Sequence, residues 1–427
     1  METAMANWYE AGRAHASVYR DPEVFALERE RLFKVAWIYV GHESQVERPG
    51  DYLRSELVDE PILLVRGADG EVRGFFNRCP HRGALIAREA RGNAKLLQCA
   101  YHGWSFRHDG ALQSIPYEEG YAGTDLGGQR EAWGLTPLPR FASYRGFLFA
   151  SLAAEGPDLE SYLGPVAINL DNMVERSPLG KIAVWGSRFS IVKRNNWKVY
   201  LENLHDGAHA LPTHVSSIRA AQQAIEQAPD EWTRLRAYIM AANAQSPKDM
   251  AQLPVQCYPN GHSDMSAFRK TRPDTPGQRE YEEALARRYG HDGVERILGV
   301  DRNNAIIYPT LTVQPNWMQL RLLVPLDVET TRVDIWIFKI LGAPEWIQQR
   351  IRAFTNTIHT PGSLVRADDL ENFERVQLGL RARSVSGINV LREFTAEPAG
   401  PGPSTAMSER YVRNQLETWM RYMKEER

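Results

Sequence analysis

Cys79-Pro80-His81-Arg82-Gly83-Ala84 and Cys99-Ala100-Tyr101-His102-Gly103-Trp104 decide how this chain is read. Each short loop offers one cysteine and one histidine, as C-x-H and then C-x-x-H, with seventeen residues between them. Thiolate and neutral imidazole are the side chains that bind iron or zinc most readily. A structural zinc site usually pairs cysteines in one knuckle and histidines or further cysteines in the other. Mixed loops suit a [2Fe-2S] cluster, in which each loop gives one ligand to each iron and the two cysteines share one metal, the two histidines the other. Pro80, Gly83 and Gly103 allow tight backbone turns, and Tyr101 and Trp104 are suited to shielding such a cluster from water. A Cys₂His₂ zinc site, or scattered core cysteines and surface histidines, are the competing readings.

Outward from these loops, Gly50 to about Ser151 carries short strand and turn signals: Pro61–Val65, the Asp69-Gly70 turn, Val72–Phe76, Lys95–Gln98, Asp109-Gly110 and Gly146–Phe149. They predict a small antiparallel β domain with both loops at hairpin ends. Before it, Asp21-Pro22 reads as the cap and first turn of a helix running through Leu27 and Leu32, and Trp37–Val40 as a buried strand. After it come a strand over Ile182–Val192, a helix from Trp197 to about Ala210, and a polar stretch from Gln222 to Arg302 read as helices and long loops around a pocket. Ile306–Val313, Met318–Val324 and Arg332–Ile340 then predict three strands, the last half-buried with Val333, Ile335 and Ile337 inward. Helices follow Pro344, cover about Val365–Leu380, and close the chain from Ser408 to Lys424. The class is α+β, in three parts: an N-terminal helical segment 1–41 packing on the catalytic domain, the cluster domain 42–155, and a catalytic domain 156–427.

Composition narrows the possibilities. A chain of 427 residues with 43% hydrophobic and 24% charged residues is an ordinary globular protein of more than one domain. A net charge of −2 gives no reason to expect nucleic acid or an anionic membrane as partner. No apolar run approaches a membrane span, and Met1–Arg20 lacks the plan of a signal peptide. Of three cysteines only Cys257 is left over, which argues for a reducing, cytoplasmic setting. There is no GxGxxG fingerprint, no P-loop and no cysteine set for a second cluster, so redox chemistry here requires electrons from a separate protein.

A second metal site is legible further on, in Glu202-Asn203-Leu204-His205-Asp206-Gly207-Ala208-His209-Ala210-Leu211-Pro212-Thr213-His214. Asp206 and His209, three apart, are expected on one helix face. His209 and His214 do not converge on a continuous helix, so Pro212 is read as the break that swings His214 back. In the helix Val365–Leu380, Asp369 shares the stripe of Phe373, Val376 and Leu380, whereas Asp368 lies with Asn372 and Arg375. A carboxylate on an apolar stripe needs a partner, either an ion pair with Arg366 or a metal. With His209 and His214 it makes two histidines and one carboxylate, the facial triad of non-haem Fe(II) oxygenases. The remaining histidines lack partner spacing and are read as surface or satisfied core residues, and Cys257 as a small buried hydrophobe.

CPHRGA…CAYHGW resembles the cluster-binding motif of Rieske non-haem iron oxygenases, and the resemblance extends to Asn196-Trp197-Lys198, Glu202-Asn203 with D-x-x-H-x-x-x-x-H, and Asp368-Asp369-Leu370-Glu371. It covers the chain from Trp37 to the last helix. Ala208 departs from it, since many relatives place a tyrosine there. The resemblance implies Cys79, His81, Cys99 and His102 as ligands of a Rieske [2Fe-2S] cluster, and His209, His214 and Asp369 as ligands of mononuclear Fe(II). It implies Asp206 as a bridge between His209 and a cluster histidine, His102, of a neighbouring subunit, and Asn203 as a polar residue close to the iron. It further implies an antiparallel sheet wrapped around a long helix (a helix-grip) and a head-to-tail homotrimer, with or without a small β subunit. The expected activity is that of the terminal component of an aromatic ring-hydroxylating dioxygenase. Such a component takes electrons from a ferredoxin or flavin reductase and uses O₂ on an aromatic substrate, among them aromatic carboxylates. Monooxygenation or O-/N-demethylation, and a Rieske electron-transfer protein without the triad, are the alternatives.

Overall fold

The computed structural model describes residues 8–424, apart from 129, 187, 242–243, 269–271, 361 and 383–386. It has two compact units, Phe33–Tyr162 and a larger one formed by Met1–Leu32 with Leu163–Arg427. The first cut falls before the fully buried strand Ile38–His42 because that strand pairs with Phe147–Ser151, which pairs in turn with Arg140–Tyr144.

The small unit adds two more antiparallel sheets. One runs Val72–Phe76, Glu60–Arg66, Asp51–Leu57, Arg91–Asn93, and the other Leu112–Ser114, Ser105–Phe106, Leu97–Gln98. Only the second metal loop closes a hairpin: it joins Leu97–Gln98 to Ser105–Phe106, which pair directly. The expectation that both do is corrected for the first loop. It leaves Val72–Phe76 at one edge of the four-stranded sheet, and the chain next pairs at the opposite edge, as Arg91–Asn93 on Asp51–Leu57. Fully buried Asn77 holds this crossing together. Its side chain accepts from the amides of Ile86 and Ala87 (3.0 and 2.9 Å) and donates to the Ala87 carbonyl (2.9 Å).

The large unit is built on a nine-stranded antiparallel sheet, ordered Ile182–Val184, Thr330–Ile340, Gln319–Asp327, Leu311–Gln314, Val300–Ile307, Ser263–Phe268, Pro254–Cys257, Gly402–Thr405, with Phe189–Lys193 also on Thr330–Ile340. Pro254–Cys257 and Ser263–Phe268 correct the reading of 222–302 as helices and loops. The reading of Ile182–Val192 as one strand fails at Gly186, whose φ of 71° ends the first segment. Ile306–Val313 is likewise interrupted, by a turn at Tyr308-Pro309. Nor is Thr330–Ile340 half-buried. Asp334, expected outward, is 0% exposed and is held by Arg188 (2.9 Å), Arg332 (3.1 Å) and Ser190 (2.6 Å).

Helices complete this unit. Asp21 caps Pro22–Glu28 through the Glu23 amide, 2.9 Å away, with Pro22 in the first turn where its missing N–H is not needed. Glu28 at its end is 0% exposed and accepts from Lys198 Nζ (2.5 Å), Trp419 Nε1 (2.7 Å) and Trp197 Nε1 (3.0 Å). One carboxylate thus ties the N-terminal helix to Trp197–Asn203 and to the last helix, Arg410–Met423. That last helix packs on Pro254–Cys257. Among the described residues no helix is long and apolar enough to cross a membrane.

Candidate metal centres

The two cysteine loops have the same backbone. Cys79 N donates to Ala84 O (2.8 Å) and Gly83 N to Cys79 O (2.9 Å), and in the second loop Cys99 N donates to Trp104 O (2.8 Å) and Gly103 N to Cys99 O (2.9 Å). Both closures place a glycine at positive φ, 76° at Gly83 and 74° at Gly103, where a side chain is strained. At Gly103 a Cβ would also meet Pro116 at 2.8 Å.

Cys79 and Cys99 are both buried in the core of the small unit with Phe75, Phe106 and Trp104. Burial, with the Cys99 sulfur alongside, pushes the Cys79 thiol up. The His81 and His102 rings lie 4.5 Å apart, and His81 stacks on Trp104 at 4.9 Å and 3°. Trp104 is therefore the shield. Tyr101, expected to share that task, is 62% exposed, though its ring sits 3.7 Å from that of His102. Buried His81 Nδ1 has no hydrogen-bond partner, as a nitrogen meant for a metal would lack one.

In the large unit His209, His214 and Asp369 form, among the described residues, the group whose ligand atoms all lie within 4.8 Å of one another. In the loops the two cysteines lie side by side and so do the two histidines. Convergence on a point suits one metal ion, and a cysteine pair beside a histidine pair suits the two irons of a [2Fe-2S] cluster. Asp369 Oδ1 is 3.4 Å from His214 Nε2 and 3.6 Å from His209 Nε2, and is buried without a hydrogen-bond partner. A buried carboxylate oxygen facing two imidazole nitrogens fits a cation held by all three. Arg366, the alternative partner for Asp369, donates instead to the His359 carbonyl at 2.9 Å.

The route to this convergence differs from the expected one. Trp197–Asn203, capped by Asn196, ends seven residues earlier than Ala210, and Asp206 and His209 lie in the irregular stretch that follows. Gly207 N donates there to Ala406 O at 2.6 Å, diverting the backbone. Pro212 is not the break either. It sits in the first turn of Ala210–Thr213, where a proline costs no hydrogen bond, and His214 caps that helix's end at φ −99°, ψ 20°. Asn203 Nδ2 lies 3.0 Å from His209 Nε2. Asp206 accepts from Arg392 (2.8 Å) and from the Ala208 amide (2.9 Å), with His209 Nδ1 3.8 Å away.

The phase of the carboxylate helix, Leu364–Gly379, also needs correction. Its buried stripe contains Arg366, Phe373 and Gln377, while Val376, expected inward, is 41% exposed. Asp368 consequently does not face away: its Oδ2 is 3.3 Å from His214 Nδ1. The His214 ring is flanked by two successive aspartates, one at each nitrogen. Burial opposes its proton, but Asp369 and Asp368 outweigh that and raise its pKa. Sequence spacing gave no sign of Asp368 in this role.

The triad lines a cavity of about 240 Å³. Its apolar lining includes Leu204, Met250, Leu253 and the stacked pair Trp317–Phe354 (4.0 Å, 4°). His205 also lines it, but its Nε2 is 3.1 Å from Ser263 Oγ, and burial pushes its pKa down to about 3. His359, read as a surface or satisfied histidine, lines the cavity as well and leaves its buried Nε2 without a partner.

Residues 36–132 match the Rieske [2Fe-2S] domain, and residues 183–425 match the ring hydroxylating alpha subunit (catalytic domain). The chain belongs to the ring-hydroxylating alpha-subunit family. It is 32% identical over 372 residues to the toluate 1,2-dioxygenase alpha subunit of Pseudomonas putida, covering 86% of this chain and 79% of that one. To the biphenyl dioxygenase alpha subunit of Paraburkholderia xenovorans (strain LB400) it is 30% identical over 437 residues, covering 97% and 92%. Naphthalene 1,2-dioxygenase from Rhodococcus sp., solved with indole bound, superposes with a TM-score of 0.77 at 25% identity, covering 99% of this chain and 97% of that one. This ring-hydroxylating alpha subunit therefore carries a Rieske [2Fe-2S] domain and a catalytic domain of the mononuclear-iron type.

Proposed function

We propose that this chain is the terminal oxygenase component of a multicomponent aromatic ring-hydroxylating dioxygenase, and that it converts an aromatic substrate and O₂ to a cis-dihydrodiol. The observation that carries the reading is the convergence of His209, His214 and Asp369 on one cavity in a chain that also folds the paired cysteine–histidine loops.

Cys79 and Cys99 would hold one iron of the cluster and His81 and His102 the other; His209, His214 and Asp369 would hold the mononuclear iron. When bound, these groups supply single electrons and a place for O₂ beside the substrate. The protein's own part is arrangement. Asp368 orients His214 through Nδ1, Asn203 stands beside His209, and the apolar lining excludes water and packs the ring. Asp206, which accepts from Arg392 and has His209 Nδ1 3.8 Å away, would take an N–H from His209 and another from His102 of a neighbouring subunit, an arrangement that a head-to-tail homotrimer provides. A ferredoxin or flavin reductase supplies the electrons, a small β subunit completes the assembly in α₃β₃ members, and the setting is the cytoplasm. The proposed domains are the N-terminal segment 1–41, the cluster domain 42–155 and the catalytic domain 156–427; the grouping of Met1–Leu32 with Leu163–Arg427 in one compact unit supports assigning the N-terminal segment to the catalytic side.

The test is turnover of the iron-loaded protein with a surrogate reductase and a panel of neutral and carboxylated aromatics, under ¹⁸O₂. Both labelled oxygens in one product support dioxygenation. A single labelled oxygen in the product makes the chain a monooxygenase or demethylase, and no labelled product from a protein with full iron and sulfide overturns the oxygenase reading.

A further inference from the structure

The face of the nine-stranded sheet that meets the cavity is polar where an enclosed sheet is ordinarily apolar. Arg321 pairs across strands with Thr312, and its Nε donates to Thr312 Oγ1 at 2.9 Å while Nη2 donates to Asn304 Oδ1 at 2.7 Å. Gln314 follows Thr312 by two residues, so it shares that face. Arg321, Asn304 and Gln314 all line the cavity, with His359 from the end of the helix Glu345–Ile358. Arg321 is 4% exposed, and the side chains it donates to, Thr312 and Asn304, are both neutral. His359 Nε2 is a buried polar atom without a hydrogen-bond partner, in a residue 7% exposed.

The charges nearby do not compensate Arg321. Lys193 Nζ and the Arg321 guanidinium both lie over the Tyr200 ring, 4.1 and 5.8 Å from its centroid, so basic groups gather there, and burial with Arg321 and Arg366 holds His359 well below its ordinary pKa. Asp369 is the carboxylate that acts on Arg366 and Lys193, and it is committed to His209 and His214. A buried guanidinium without a counter-ion is costly unless a ligand supplies one. The same cavity is lined by Trp317, Phe354 and Leu253, apolar side chains that suit an aromatic ring, and Phe354 packs edge-on against His359 at 5.4 Å.

We propose that Arg321, held in place by Thr312 and Asn304, forms with His359 a subsite for the carboxylate of an aromatic acid, and so selects that substrate class. This rests on the dioxygenase reading above. Arg321 acts as a specificity residue: guanidinium matches carboxylate in charge and planar geometry, and a neutral arene leaves it unpaired in the occupied cavity.

Two substitutions test it in the iron-loaded protein, with benzoate and its neutral near-isostere nitrobenzene as probes. Arg321→Gln removes the charge. Asn304→Asp keeps the shape and supplies a carboxylate from the protein, 2.7 Å from Arg321 in the parent geometry, so it stays informative if Arg321→Gln fails to fold. Each is expected to weaken benzoate binding, followed anaerobically by tryptophan fluorescence, by about 10- to 100-fold. The ratio of kcat/KM for benzoate to that for nitrobenzene should fall by a similar factor. Benzoate binding unchanged by both substitutions overturns the subsite, as does a parent protein that oxidises nitrobenzene but does not bind benzoate. A parent protein that binds benzoate through Arg321 yet oxidises neither probe supports the subsite and overturns the dioxygenase reading instead.

Discussion

Asp368→Asn separates two accounts of the carboxylate helix. Hydrophobic periodicity places Asp368 on the face away from Asp369 and predicts that its loss leaves the iron in place. The structure sets Asp368 Oδ2 3.3 Å from His214 Nδ1, so this carboxylate fixes the ring that presents Nε2 to Asp369. Removing such a partner from a metal-bound histidine typically weakens metal binding by about 10- to 100-fold. The contact is long, and the Asp368 side chain is 24% exposed, so solvent replaces part of what is lost. The expected effect lies near the lower end, about 10-fold or ~1.4 kcal/mol. An anaerobic Fe(II) titration against a competing chelator measures it, with the visible spectrum of the intact cluster counting folded protein. Asp369→Ala, measured alongside, should abolish mononuclear iron altogether. Iron affinity within about twofold of the parent in Asp368→Asn would refute the orienting role and restore the periodicity argument.

Asp206→Asn should keep cluster and mononuclear iron near parent levels and leave the oligomeric state unchanged, while turnover collapses; rapid mixing with substrate and O₂ should show the reduced cluster failing to reoxidise, and normal reoxidation would remove Asp206 from the electron path. Glu28→Gln should destabilise the large unit by about 3–5 kcal/mol in urea unfolding, because Lys198 is left buried without its counter-charge, and adding Lys198→Met should recover much of the loss. Burial raises the Glu202 pKa from 4.5 to about 7, so the folded state holds a proton that the unfolded chain has released. The parent should therefore lose stability relative to Glu202→Gln as pH rises from 4.5 through 7, by roughly 3 kcal/mol at most. Unfolding at pH 5 and pH 8 checks this, and an equal gap between the two proteins at both values would contradict it.

How much was legible depends on how far each constraint reaches along the chain. The cysteine loops could be read because their ligands, their glycines and the bonds that close them lie within six residues, as Cys79 with Gly83 and Ala84 does. His209, His214 and Asp369 could be chosen because their chemistry is scarce, although the backbone that joins them was misread. No local signal shows that Gly207 N will meet Ala406 O, and that bond is made where the expected helix is broken. The same reach explains Val376. Periodicity assigns it to the core because it is apolar, yet Gln377 takes that place, donating to Tyr19 O (3.1 Å) and accepting from Asn196 N (2.9 Å). Both partners lie far off in sequence. A polar residue buried by distant partners shifts the phase of its helix, and that shift brings Asp368 to His214. Arg321 follows the same logic in the sheet. Its meaning comes from the register that sets Thr312 opposite it and the bond to Asn304. Strand propensity cannot encode either of these. Candidate metal ligands are thus legible from residue type and spacing, while the side chains packed against them, such as Asp368, are set by contacts between distant segments.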